Sequence, residues 1–236
     1  MNPKNPLRYW LAGVLASAIL GIVQFIIVAI VCVVKLPRKH IPEDGYFLSD
    51  LGRSVLPLSG LFNGSLITLG ILLIPMFIML VRVDSRQSFS LRVATLFGIV
   101  SSIGLVFLGC SPVDKAYVSH LLATAMWVFP MLYMVIAFYA SATRSHYVNA
   151  KFIGASLIMA VVMLIVFFSA QATDLKLIQR MLVVCGSIWL GFIIWFLALE
   201  GYGVIAEWEP TAIEKVDHDS QLYYQTLAVK KSSHDK

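Results

Sequence analysis

Residues 10–34 read WLAGVLASAILGIVQFIIVAIVCVV, and this stretch decides what kind of molecule the chain is. It holds no charged residue, and its one amide, Gln24, lies near the middle. In hydrocarbon each backbone N–H and C=O must find its partner within the protein, so an unbroken apolar run of this length closes on itself as a helix. Some 20 residues suffice to cross a bilayer, roughly. The run is about twice the 7–15 residues of a secretory signal core, and Lys35-Leu36-Pro37-Arg38-Lys39 follows it where a small-residue cleavage site would be needed. It reads as a retained membrane helix.

Working outward from it, five more apolar blocks recur: Pro57 to Val81, Leu91 to Gly109, Val118 to Ser141, Ala150 to Ala170 and Leu177 to Glu200. The expectation is an all-α polytopic membrane protein, a compact bundle of six transmembrane helices filling residues 1–202. A composition of 59% hydrophobic and 13% charged residues, with a mean hydropathy of +0.83, excludes an ordinary soluble domain, of which about a quarter is charged. A membrane β-barrel is excluded as well, because its strands alternate apolar and polar residues. Residues 203–236 turn polar and read as a cytoplasmic, largely disordered tail, preceded by a short interfacial helix near Val204 to Trp208.

Charge placement orients the bundle. Cationic residues gather in cytoplasmic connections. With the N-terminus inside, Lys4, Arg8, Arg82, Arg86, Arg92, Arg144, Lys151 and the tail lysines fall on that side, eleven of the 18 Lys and Arg. Both termini are therefore expected in the cytoplasm, in a bacterial inner membrane. The net charge of +5 comes from these connections; no basic stripe with interleaved aromatics points to nucleic acid. Small residues at four-residue spacing (Gly13, Ser17, Gly21; Gly98, Ser102) and the Gly186-Ser187 and Gly191 pair of turns are the pattern that lets membrane helices approach closely. Pro75 and Pro130 fall inside the second and fourth blocks, where each removes a backbone hydrogen bond and kinks its helix. Cys32, Cys110 and Cys185 make no closed disulfide framework; a Cys32–Cys110 bridge and plain packing residues are both open readings.

With this topology, three segments deliver polar groups to one outer surface. The loop 35–56 ends in Leu48-Ser49-Asp50-Leu51-Gly52. The third block ends in Gly109-Cys110-Ser111-Pro112-Val113-Asp114. The fourth opens with Ser119-His120. Asn63 lies about two turns into the second block, and Asp174 and Arg180 come to the same level. His120, the one histidine inside any block, shares a helix face with Thr124 and Trp127. Capping is the plain alternative: Ser49 and Asp50 at the start of the second helix, Asp114 at the start of the fourth.

These elements, Ser-Asp-Leu-Gly before the second helix, Asn within it, and Gly-x-Ser-Pro-x-Asp with His at the start of the fourth, resemble the DUF998 group of bacterial and archaeal membrane proteins. That group is similar in layout to the eukaryotic Frag1/DRAM/Sfk1 family. The resemblance implies fold and topology from about Trp10 to Tyr202, marks Ser49, Asp50, Gly52, Asn63, Pro112, Asp114 and His120, and implies no reaction.

Three functions follow as expectations. The first is a binding role, in which Ser49, Asp50, Asn63, Asp114 and His120 hold a lipid headgroup, a small ligand or a membrane partner. The second is a metal-dependent lipid hydrolase with His120, Asp114 and Asp50 on zinc and Ser111 or a bound water in the reaction; His40 is the one further histidine near enough in sequence to join. The third is a small-solute transporter, against which no charge falls at mid-membrane. Binding is the preferred reading, with no enzyme activity and no cofactor assigned.

Overall fold

The computed structural model describes residues 6–35, 48–83, 89–142 and 183–198, with six further positions between 154 and 165. Four long helices carry the fold: α1 (Pro6–Lys35), α2 (Ser59–Val83), α3 (Phe89–Cys110) and α4 (Tyr117–Ala142). A shorter apolar helix spans Val183–Ala198, and a 3-10 segment, Leu48–Gly52, lies between α1 and α2. No strand occurs among the described residues. The interfacial helix and tail, His40, Asp174, Arg180 and most of the fifth block lie outside the described residues. The six described positions of that block are all helical.

All four long helices have the length and apolarity to cross a bilayer, and they mark the chain as an integral membrane protein. Their surfaces agree. Tyr9, Trp10, Leu20, Ile27 and Val34 on α1, and Leu121, Leu122, Tyr133 and Ile136 on α4, are exposed. Among the described residues each charged side chain sits in an end turn of a helix or in a connection. A bundle whose outside is as apolar as its inside gains little from the hydrophobic effect; close packing and buried polar bonds hold it together instead.

Neighbours in sequence pack as neighbours in space: α1 on α2, α2 on α3, α3 on α4. The Val183–Ala198 helix joins α4 through Phe138, which meets Trp189 and Phe196 edge-on at centroid distances of 5.6 and 5.0 Å. That edge-to-face geometry sets positive ring edges against negative ring faces. Glycines set the tightest approaches. A Cβ on Gly104 would lie 2.5 Å from the backbone N of Trp127, and one on Gly109 2.5 Å from the carbonyl O of Asn63. Only glycine lets α3 run this close to α4 and α2. Ser101 uses the proximity, donating to Trp127 O across the α3–α4 seam at 2.8 Å.

The small-residue stripes are partly packing faces. Gly98 abuts the Phe77 ring and Gly21 abuts Leu72 and Leu69, but Gly13 and Gly191 face open space. Helices α2 and α4 continue through Pro75 and Pro130. The three cysteines are free, with Cys32 buried and Cys110 exposed, so the structure holds no Cys32–Cys110 bridge.

One expectation is corrected. Ser49 and Asp50 do not cap α2. Three successive backbone bonds, Arg53 N to Asp50 O, Leu56 N to Arg53 O and Ser59 N to Leu56 O, carry the chain through a further set of turns first. Helix α2 begins at Ser59, because Pro57 favours a turn at this point.

Candidate functional site

At the end of the bundle where α1 finishes and α2 and α4 begin, the helices splay around a cleft of about 820 Å³, part of it open to the surroundings. Its floor and walls are apolar: Phe25 from α1, Phe62, Leu66 and Leu69 from α2, Leu105 and Leu108 from α3, and Trp127 and Met131 from α4. Val183, Gly186, Ser187 and Leu190 close the remaining side. Phe25 and Phe62 lie against each other, centroids 6.0 Å apart.

The polar lining is sparse and comes from the expected segments. Ser49 and Gly52 of the 3-10 segment, Asn63 of α2, Pro112 of the α3–α4 connection, and His120 and Thr124 of α4 all border the cleft. Asp50, Asp114 and Ser111 are not among its lining residues. They fasten the segments that are. Asp114 takes the backbone N–H of Ser54 on both carboxylate oxygens, at 3.0 and 3.1 Å, and the Ser54 hydroxyl at 2.5 Å. The Ser54 hydroxyl, and then its N–H, hold the Asp114 carboxyl below its ordinary value of 3.8, since each bond favours the ionised form. Asp50 pairs with Arg53 at 2.9 Å.

Asn63 donates from Nδ2 to Gly52 O at 2.9 Å. A side chain at position 52 would collide with Asn63 Oδ1, which explains the glycine. The roof of the cleft is thus tied twice, once to α2 by Asn63 and once to the α3–α4 connection by Asp114. His120 Nδ1 lies 2.7 Å from Ser111 O. A carbonyl can only accept, so Nδ1 carries the proton and Nε2 of the neutral ring is left as an acceptor. Thr124 turns its hydroxyl back to His120 O at 2.8 Å, and Ser187 does the same to Val183 O at 2.9 Å.

The structure therefore gathers Ser49, Asn63 and His120 at one cavity and sets Asp50 and Asp114 to hold its roof. Among the described residues no three His, Cys, Asp or Glu side chains group as a metal site. His120, Asp114 and Asp50 thus do not converge as a zinc-holding set. Ser54 went unmarked in the sequence; its partner is 60 residues away, and nothing local signals such a bond. The apolar walls went unmarked for another reason: helices apolar on every side carry no face pattern that singles out a cleft.

No curated protein and no solved structure matches the chain. A family model described as a protein of unknown function, DUF998, matches residues 19–196. That span takes in all the described helices but the first turns of α1 and the last of Val183–Ala198, and with them every residue of the cleft and its roof; the chain belongs to the DUF998 family.

Proposed function

We propose that this protein binds a membrane lipid, taking its hydrocarbon chain into the cleft with the head group beside Ser49, Asn63 and His120. The observation that carries this reading is the lining itself: an apolar cavity whose few polar groups lie toward the connections at one end of the bundle. Its volume falls within the roughly 300–1,000 Å³ of small-molecule sites. A solute that leaves water for water needs polar contacts along its path, whereas an acyl chain needs only apolar walls and a polar group at one end.

In this reading the bundle has six crossings, both ends of the chain are cytoplasmic, and the cleft opens on the outer leaflet of the bacterial inner membrane. Support comes from direction. Helix α4 begins at the cleft and leads away from it, yet Val183 lies at the cleft again, so the intervening chain returns across the bundle. The helical positions between 154 and 165 belong to that return.

The test is lipid retention. The protein is purified in mild detergent and its bound lipid read by native mass spectrometry, beside Gly186→Leu. A Cβ at Gly186 meets only the Met131 thioether, at 3.5 Å, so the larger side chain fills the cleft without striking backbone. The wild type should retain lipid near one per chain, and the folded variant should lose most of it. Equal retention by both would refute the reading.

A further inference from the structure

The lipid reading leaves the head group open, and the polar end of the cleft narrows it. Among the described residues that line the cavity there is no Lys, Arg, Asp or Glu. Arg53, the cation nearest in sequence to the roof, is paired with Asp50, and Lys115 is exposed on the connection. An anionic head group would find no fixed countercharge here, and desolvating it unpaired is strongly unfavourable. A zwitterionic one would face the same obstacle twice.

The available hydrogen-bonding capacity is equally one-sided. Asn63 spends its amide N–H on Gly52 O. The Thr124 and Ser187 hydroxyl protons go to carbonyls of their own helices. His120 has its one neutral-state proton on the Ser111 carbonyl, which fixes Nε2 as an acceptor. What remains toward the ligand is a set of acceptors with His120 Nε2 the strongest among them. Such a set selects a donor.

We infer that the ligand of the cleft is a neutral lipid with a free hydroxyl, of the acylglycerol or long-chain alcohol class, whose hydroxyl donates to His120 Nε2. This rests on the lipid reading above and adds the chemistry of the head group. A phospholipid fails on charge, and a wax or sterol ester fails because it carries no proton to give.

The experiment uses three probes with the same oleyl chain: oleyl alcohol, oleyl methyl ether and oleate. Each competes against tritiated oleyl alcohol on the full chain in lipid nanodiscs. One buried hydrogen bond separates alcohol from ether, so the alcohol should bind about tenfold tighter. Oleate should be no better than the ether. In His120→Phe, which keeps a ring of similar shape, the alcohol should lose its advantage while the ether is unaffected. Equal binding of alcohol and ether to the wild type would overturn the inference, as would oleate binding tightest. If His120→Phe does not fold, the wild-type ranking decides alone. Failure of all three probes to bind overturns the lipid reading itself, a result distinct from binding without preference.

Discussion

Replacing Gly104 with alanine tests whether close approach of backbones, rather than apolar burial, holds this bundle together. The added carbon would lie 2.5 Å from Trp127 N, 2.7 Å from Met126 C and 2.8 Å from Trp127 Cα. All three are backbone atoms, so no rotamer change relieves the clash. Ordinary contact begins near 3.4 Å, which requires α3 and α4 to part by about 0.9 Å. That displacement also draws the Ser101–Trp127 O bond, now 2.8 Å, out of hydrogen-bonding range. Overpacking of this kind costs about 1–3 kcal/mol and the lost bond about 1 kcal/mol more. Gly13→Ala is the control, since nothing lies within 4 Å of a Cβ there. Both variants gain the same preference of alanine over glycine in a helix, so the gain cancels in the comparison. Equilibrium unfolding in mixed micelles, followed by circular dichroism, should place Gly104→Ala about 2–4 kcal/mol below Gly13→Ala. Gly98→Ala, where the obstacle is the Phe77 ring, should fall between them because a side chain can turn aside. A Gly104→Ala variant as stable as Gly13→Ala would refute the reasoning.

Two further outcomes follow from the roof and the core. Because the folded-state pKa of Asp114 is lowered by its bonds to Ser54, its contribution to stability is present in full above the ordinary value of 3.8 and is lost as pH falls through the lowered value. Melting curves of wild type and Asp114→Asn should therefore differ by a constant amount from neutral pH down to about pH 5 and converge below about pH 4; a constant difference throughout would show that the carboxylate charge is not what fastens the roof. Thr95 is buried with its hydroxyl unpartnered among the described residues, so Thr95→Val, which trades that hydroxyl for a methyl, should stabilise the protein by about 1 kcal/mol. A loss of stability in the same micelle titration would show that the hydroxyl does have a partner.

How much of this was legible in the sequence depends on the range of the interaction. The long helices α1 to α4 were visible because the bilayer imposes a local rule, a charge-free run of sufficient length, and their observed ends fall within four residues of the expected ones. Close approaches were less visible. The Gly13 stripe satisfied the four-residue pattern and faces open space, whereas Gly104 and Gly109, which make the tightest contacts near the cleft, stand in no such stripe. A spacing rule records that a helix has a smooth face; it does not record which neighbour arrives there. The turns after Asp50 were misjudged for a related reason, since Ser and Asp cap helices so often that their presence conceals a 3-10 segment placed just upstream.

The candidate site divides along the same line. Ser49, Gly52, Asn63, Pro112 and His120 border the cleft, while Asp50 and Asp114 hold the segments that border it. The sequence offers no means of separating the two groups, because a carboxylate that binds a ligand and one that binds a serine across the fold are the same residue in the same kind of turn. Only the partner distinguishes them, and Ser54 lies 60 residues from Asp114. The division has a mechanical consequence. Carboxylates that fasten a roof leave the cavity beneath it uncharged, so the residues that look most catalytic in the sequence serve to keep charge out of the site. An apolar cleft with one tautomerically fixed imidazole then discriminates by hydrogen-bond direction and not by charge, and the alcohol-against-ether comparison measures that directly.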